Sequence, residues 1–130
     1  MISLQVALSL CFLHWVADFV FQTDWMAQNK SKSNYPLLVH VSVYSALFIP
    51  FAVIAFNNAL SVIIFILVNL LAHFATDYLT SRRSSRLYRE GKIGSATVPN
   101  FNFFSTIGFD QFLHYLALFT SYVLITTHLS

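Results

Sequence analysis

Four long apolar stretches, at roughly 2–26, 36–56, 60–80 and 106–127, alternate with polar connections. Each is close to the ~20 residues that cross a bilayer core as a helix. The pattern predicts an all-α, polytopic four-helix membrane bundle forming one domain over residues 1–130. Asn34, Tyr35 and Pro36 predict a cap followed by a proline in the first turn, and Asn57-Asn58 predicts a tight turn before Ser61. Pro50 predicts a kink near the outer end of the second helix. No Lys or Arg precedes Ile2 and no small-residue cleavage pattern follows, so the first stretch is expected to stay in the mature protein.

The connections 27–35 and 81–105 carry all seven basic residues: Lys30, Lys32, Arg82, Arg83, Arg86, Arg89 and Lys92. The positive-inside rule places both loops in the cytoplasm and both termini outside. The longer loop turns from a basic, serine-rich half (SRRSSRLYREGK) to an aromatic half (VPNFNFFSTIGF), which predicts a short helix on the membrane surface and re-entry near Phe103. Basic juxtamembrane loops commonly meet anionic lipid, so membrane lipids are the expected partners and nucleic acid is not. Trp15, Trp25, Tyr35, Tyr78 and Tyr88 supply candidates for an interfacial aromatic belt.

Composition agrees. The chain is 57% hydrophobic and 9% charged, with a mean hydropathy of +0.66, too little polar surface for a water-soluble globule. Cys11 is the only cysteine, which excludes an intrachain disulfide and a cysteine-rich metal site.

Against this background the ionisable residues inside the apolar stretches need a reason: His14 and Asp18, His40, His73 and Asp77, Asp110 and His114. A carboxylate at a bilayer centre costs roughly 2.5–3.5 kcal/mol, so three would cost on the order of 8–10 if nothing offset them. Three of the sets are four residues apart and share one helix face. LHWVADF at 13–19 and AHFATDY at 72–78 repeat one arrangement, which reads as an internal duplication of two hairpins about an axis near the membrane normal. With the predicted topology all these residues fall in the cytoplasmic half of the bilayer, as one converging cluster would require.

Imidazole with carboxylate suits a divalent metal ion, zinc first and manganese or iron as alternatives. Such sites are built in helical bundles from facing helices. His14, Asp18, His73, Asp77 and His114 are the expected ligands, with Asp110 or His40 as further ligand or general base. Gln22, Gln111 and Tyr44 are placed to face the cluster, and Arg82 and Arg83 to steer an anionic headgroup towards it. Seven candidate ligands exceed what one catalytic zinc takes, so two ions or supporting partners are implied. Three readings compete: metal-dependent hydrolysis of a lipid or lipid-linked substrate, a proton- or cation-coupled transporter or channel component, and a membrane effector whose cluster merely holds helices together. Haem ligation is disfavoured by the three aspartates.

At these residues the chain resembles a family of small phage and bacterial membrane proteins known only as domain of unknown function 3307. The likeness lies in HWVADFVFQTDWMAQNK at 14–30, LLVHVSVY at 37–44, HFATDYLTSR at 73–82 and GFDQFLH at 108–114. It implies a multi-pass protein of the bacterial inner membrane and brings no activity. The family pattern often carries a lysine where this chain has Thr80, a role that Arg82 or Arg83 is expected to take. A weaker similarity links the pattern to membrane-bound metal-dependent hydrolases.

Overall fold

A computed structural model describes residues 1–95 and 97–129. Its elements are helical: α1 (Leu4–Trp15), a π-helical turn (Val16–Val20), α2 (Asp24–Asn29), α3 (Asn34–Leu47), α4 (Ile49–Ala55), α5 (Ala59–Arg89) and α6 (Phe101–His128). No strand forms among the described residues. Four columns result, since α1 runs on into the π turn and α4 continues α3. The central α5 packs most extensively on α6 and α3, while α1 packs on α6 and the π turn on α3. Thus α1 and α5, which carry the repeated His-x-x-x-Asp motif, stand across from one another.

Three boundaries differ from the sequence expectation. The first stretch is not one helix to residue 26. Phe21 N–H bonds the Val16 carbonyl five residues back, the chain then leaves the helix, and the Thr23 hydroxyl caps a separate α2 by accepting from Met26 N–H. The second breaks at Phe48, two residues before Pro50, whose ring clashes with the carbonyl four residues back. The helix resumes at once because proline is tolerated in a first turn.

The largest difference is in the connection expected at 81–105. No surface helix lies there. Instead α5 runs unbroken to Arg89, because SRRSSRLYR contains neither glycine nor proline and a polar run does not itself end a helix. The stop comes at Gly91, whose φ of +68° forms a left-handed cap. Gly91 N–H bonds the Tyr88 carbonyl and Lys92 N–H the Leu87 carbonyl, the paired closure of a Schellman end. The loop shrinks to 90–100, with α6 opened by the Asn100 side chain.

Beside a buried apolar core that includes Leu10, Phe48, Phe65 and Leu118, large apolar side chains cover the outer surface and a polar cluster lies inside. Leu4, Leu8, Phe12, Val53, Ile54, Leu60, Ile63, Leu71 and Phe112 face outwards, while His14, Asp18, His40, Asn69, His73, Asp77 and His114 are buried. Asn34–Ala55 and Ala59–Arg89 are long and apolar enough to cross a membrane. At the end bearing the termini, Phe48, Phe51, Phe56, Phe65 and Tyr122 form a continuous aromatic cluster, with Phe65 fully buried at its centre.

Asn58 ties that end together. Its side-chain oxygen accepts from Ser61 N–H at 2.8 Å and its amide donates to the Leu129 carbonyl at 2.8 Å. Asn58→Ala is expected to cost about 1 kcal/mol through the lost cap. An unfolding midpoint in detergent that does not move would show the cap to be idle.

A candidate metal centre

The π turn fixes the first functional side chain. Such single π turns within helices are rare and often found at functional sites, and this one carries Asp18 into the interior facing α3 and α5. Asp18 Oδ1 lies 3.1 Å from His40 Nε2 on α3 and 3.4 Å from His73 Nε2 on α5. The two Nε2 atoms are themselves 3.1 Å apart. One turn along α5, Asp77 Oδ2 lies 3.4 Å from His40 Nε2 and 3.5 Å from His73 Nε2. The four residues are buried, and their four facing atoms all lie within 4.8 Å of one another.

These separations fit an ion. Zinc at 2.0–2.1 Å from four nitrogen and oxygen ligands sets ligand atoms about 3.3–3.4 Å apart along the edges of a tetrahedron. Hydrogen bonds serve the same contacts poorly: two neutral imidazoles offer two N–H groups between them, and a contact between two Nε2 atoms requires at least one to be bare. Electrostatics points the same way. Three carboxylates, Asp18, Asp77 and Asp110, meet a single ammonium, Lys30, a donor set whose negative charge a cation can offset.

Further polar side chains hold these atoms in place. Gln111 is the clamp: its amide nitrogen donates to Asp18 Oδ2 at 3.1 Å and Asp110 Oδ2 at 3.0 Å. Its carbonyl therefore faces His14 Nε2 at 2.7 Å and can only accept, which puts the His14 proton on Nε2. His14 Nδ1 is left to accept the Tyr44 hydroxyl proton at 3.0 Å. His114 Nε2 lies between Asp77 Oδ1 at 3.1 Å and Asp110 Oδ2 at 3.3 Å, and Thr80 donates to Asp110 Oδ1 at 2.5 Å. Nδ1 of His40 and of His73 is buried without a partner among the described residues. Packing holds the His73 ring instead, with His114 stacked at 4.0 Å and Tyr44 tilted against it at 3.9 Å.

A cleft of about 380 Å³ opens from this cluster towards α2 and the far end of α5, lined among others by Asp18, Asp77, Asp110, Gln111, Lys30 and Ser81.

A family model for proteins of unknown function matches residues 6–130, which include every residue of the cluster. The chain belongs to this family, DUF3307. No curated protein and no solved structure matches it.

In this DUF3307 chain the expected residues gather, and the structure sorts them into two groups. Asp18, His73 and Asp77 form the four-atom group together with His40, which the sequence reading placed as base or further ligand. His14 lies outside it with both ring nitrogens engaged. Asp110 and His114 form a second group that shares Asp18. Gln22 lines the cleft with its amide oxygen buried and unpaired. Arg82 points elsewhere, hydrogen-bonded to Asn34 and stacked on the Tyr78 ring at 3.7 Å, and Arg83 lies against Thr106. The cation at the cluster is Lys30, which the sequence reading counted only as loop charge: its ammonium donates to Asp77 Oδ2 at 2.7 Å. Neither arginine takes the role expected of a lysine at position 80, where Thr80 instead binds Asp110. The signal available for Lys30 was its position six residues after an acidic helix start, too loose to single it out.

Proposed function

We propose that this is a four-span membrane protein whose buried His/Asp cluster, near the cytoplasmic leaflet, holds a divalent metal ion, zinc first, and hydrolyses a lipid or lipid-linked substrate. The observation that carries this reading is the convergence of Asp18, His40, His73 and Asp77, whose two imidazole nitrogens lie 3.1–3.5 Å from each other and from both carboxylates, near the edge length of a zinc tetrahedron. The four spans are the columns described above, with α1 to the π turn as the first. At 1.5 Å per residue the 31 residues of α5 reach about 46 Å, more than a hydrocarbon core, so its arginine-bearing end projects beyond it. All seven basic residues belong to the end where the cleft opens, which supports a cytoplasmic position for that end and an outer position for both termini.

Within this reading Asp18, His40, His73 and Asp77 would hold the ion. A divalent ion brings a bound water to a pKa near 7 and polarises an acyl or phosphoryl oxygen. The chain supplies the rest. Asp110 is the carboxylate nearest the open cleft, with 15% of its side chain exposed, and Thr80, Gln111 and His114 orient it. That geometry supports Asp110 as the general base, with His114 between it and Asp77 as the relay for the proton taken up. Gln111 fixes Asp18 and Asp110 relative to one another.

The aromatic cluster around Phe65 supports a one-sided site over a transporter or channel. A buried Asn69–Ser121 pair lies one turn beyond His73, and the next turn is Phe65. The polar column therefore ends inside the protein.

Zinc-loaded protein incubated with a bacterial lipid extract is expected to form products that chelation prevents. Asp110→Asn should slow their formation about a hundredfold or more while the metal stays bound. Absence of a zinc-dependent product would overturn the hydrolase reading. Unchanged turnover in Asp110→Asn would remove the base from it.

A further inference from the structure

On one face of α5, Asp77, Ser81, Ser84, Ser85 and Tyr88 succeed one another at three- and four-residue spacing, and all line the cleft. Since α5 stays helical through this run, its serines face the cleft while Arg83, Arg86 and Arg89 face outwards. A serine row leading from a buried charged cluster into an open cleft has no structural task that the contacts reveal. The Ser81 hydroxyl oxygen is buried without a partner among the described residues, as is the Gln22 amide oxygen across the cleft. Lys30 reaches in from the other side with Ser31 beside it. The remaining wall is apolar: Phe19, Ile93, Phe103 and Ile107.

From this arrangement we infer that the cleft is a phosphate-ester subsite, in which Lys30 and the hydroxyls of Ser81, Ser84 and Ser85 bind the phosphate of the substrate. This rests on the hydrolase reading and names its substrate class. Three hydroxyl donors on successive turns, with one ammonium, suit a group with several acceptor oxygens better than the two of a carboxylate. With an ion bound against Asp18, Asp77 and Asp110, Lys30 and the outward arginines disfavour a cationic headgroup and raise the local concentration of an anionic one. Gln22 presents its amide to a headgroup hydroxyl. A volume of about 380 Å³ holds a headgroup and not a pair of acyl chains, so the chains of a lipid ligand would pass the apolar wall and remain in the bilayer.

Native mass spectrometry of the detergent-solubilised full chain tests this with three probes: phosphatidic acid, diacylglycerol with the same chains, and inorganic phosphate. Phosphatidic acid is expected to bind as a single adduct at least about tenfold more tightly than diacylglycerol. Ser81→Ala/Ser84→Ala/Ser85→Ala should lose about tenfold or more of that affinity, and Lys30→Gln a similar factor. Ser81→Ala alone, with helicity checked by circular dichroism, guards against misfolding of the triple variant. Binding of inorganic phosphate with the same serine dependence would support the subsite and assign it to the free anion. Equal binding of phosphatidic acid and diacylglycerol, or affinity unchanged in the serine variants, would overturn it. Serine-dependent phosphatidic acid binding by protein that takes up no zinc would refute the metal reading and leave the subsite standing, so the two failures are distinguishable.

Discussion

Asp18→Asn is expected to strip the protein of zinc, and His14→Ala to leave the ion in place. The two residues belong to the same sequence motif, four positions apart, and carry equal weight when read from the chain alone. In the fold their positions diverge. Asp18 is shared by both groups of converging ligands, and replacing one carboxylate oxygen by an amide nitrogen leaves a neutral group facing two imidazoles. His14 stands behind, committed to Gln111 and Tyr44. Loss of such a supporting residue typically weakens metal affinity about 10–100-fold, so His14→Ala should still hold zinc at saturating concentrations. Elemental analysis of purified wild type and the two variants, equilibrated against buffered zinc, reads this directly. About one ion per chain is expected for wild type. A His14→Ala protein as empty as Asp18→Asn would place His14 among the ligands, and a wild type without zinc would dismiss the centre altogether.

Lys30→Met is expected to destabilise the protein strongly when metal is chelated and weakly when zinc is present. Asp77 is almost wholly buried, and Lys30, 17% exposed, donates to one of its oxygens at 2.7 Å. Removing one partner of a buried pair costs about 3–5 kcal/mol, because the other charge is left without compensation. Partial exposure of the ammonium trims this to about 2–4 kcal/mol. A bound divalent ion would neutralise Asp77 by another route, so the penalty should shrink in zinc. Unfolding in detergent with and without chelator measures both values, and adding Asp77→Asn to Lys30→Met should recover most of the chelated loss. An equal penalty in the two conditions would mean that ion and ammonium do not serve the same carboxylate.

The site was legible in the sequence because its main signal is local. His and Asp four residues apart must share a helix face, and in an apolar helix such a face needs a partner, so the gathering of seven residues followed from spacing and burial cost. What spacing does not give is rank within the cluster. His40 joins the four-atom group and His14 does not because the π turn sets Asp18 Oδ1 3.1 Å from His40 and leaves Oδ2 3.8 Å from His14, a backbone event with no mark in LHWVADF that AHFATDY lacks. Lys30 was missed for a related reason. Its contact with Asp77 spans 47 residues and depends on the chain breaking after Val20 and turning back through α2. The cue for that break, Thr23 followed by Asp24, lies inside a stretch whose apolar character dominated the reading. Equating polarity with loop likewise ended α5 too soon, although Gly91 marked its true end. That error concealed the serine row, since three serines among four arginines have no common direction until they are wound on a helix.

Asp18 meets His40, and Asp77 meets His114, at the same 3.1 Å, each pair joining a motif helix to the helix that follows it. The groups around these matched pairs do not match: an ammonium, Lys30, reaches Asp77, while a third carboxylate, Asp110, and the Thr80 hydroxyl stand beside His114. The centre is thus handed, and a molecule entering the cleft meets a cation on one flank and a carboxylate on the other.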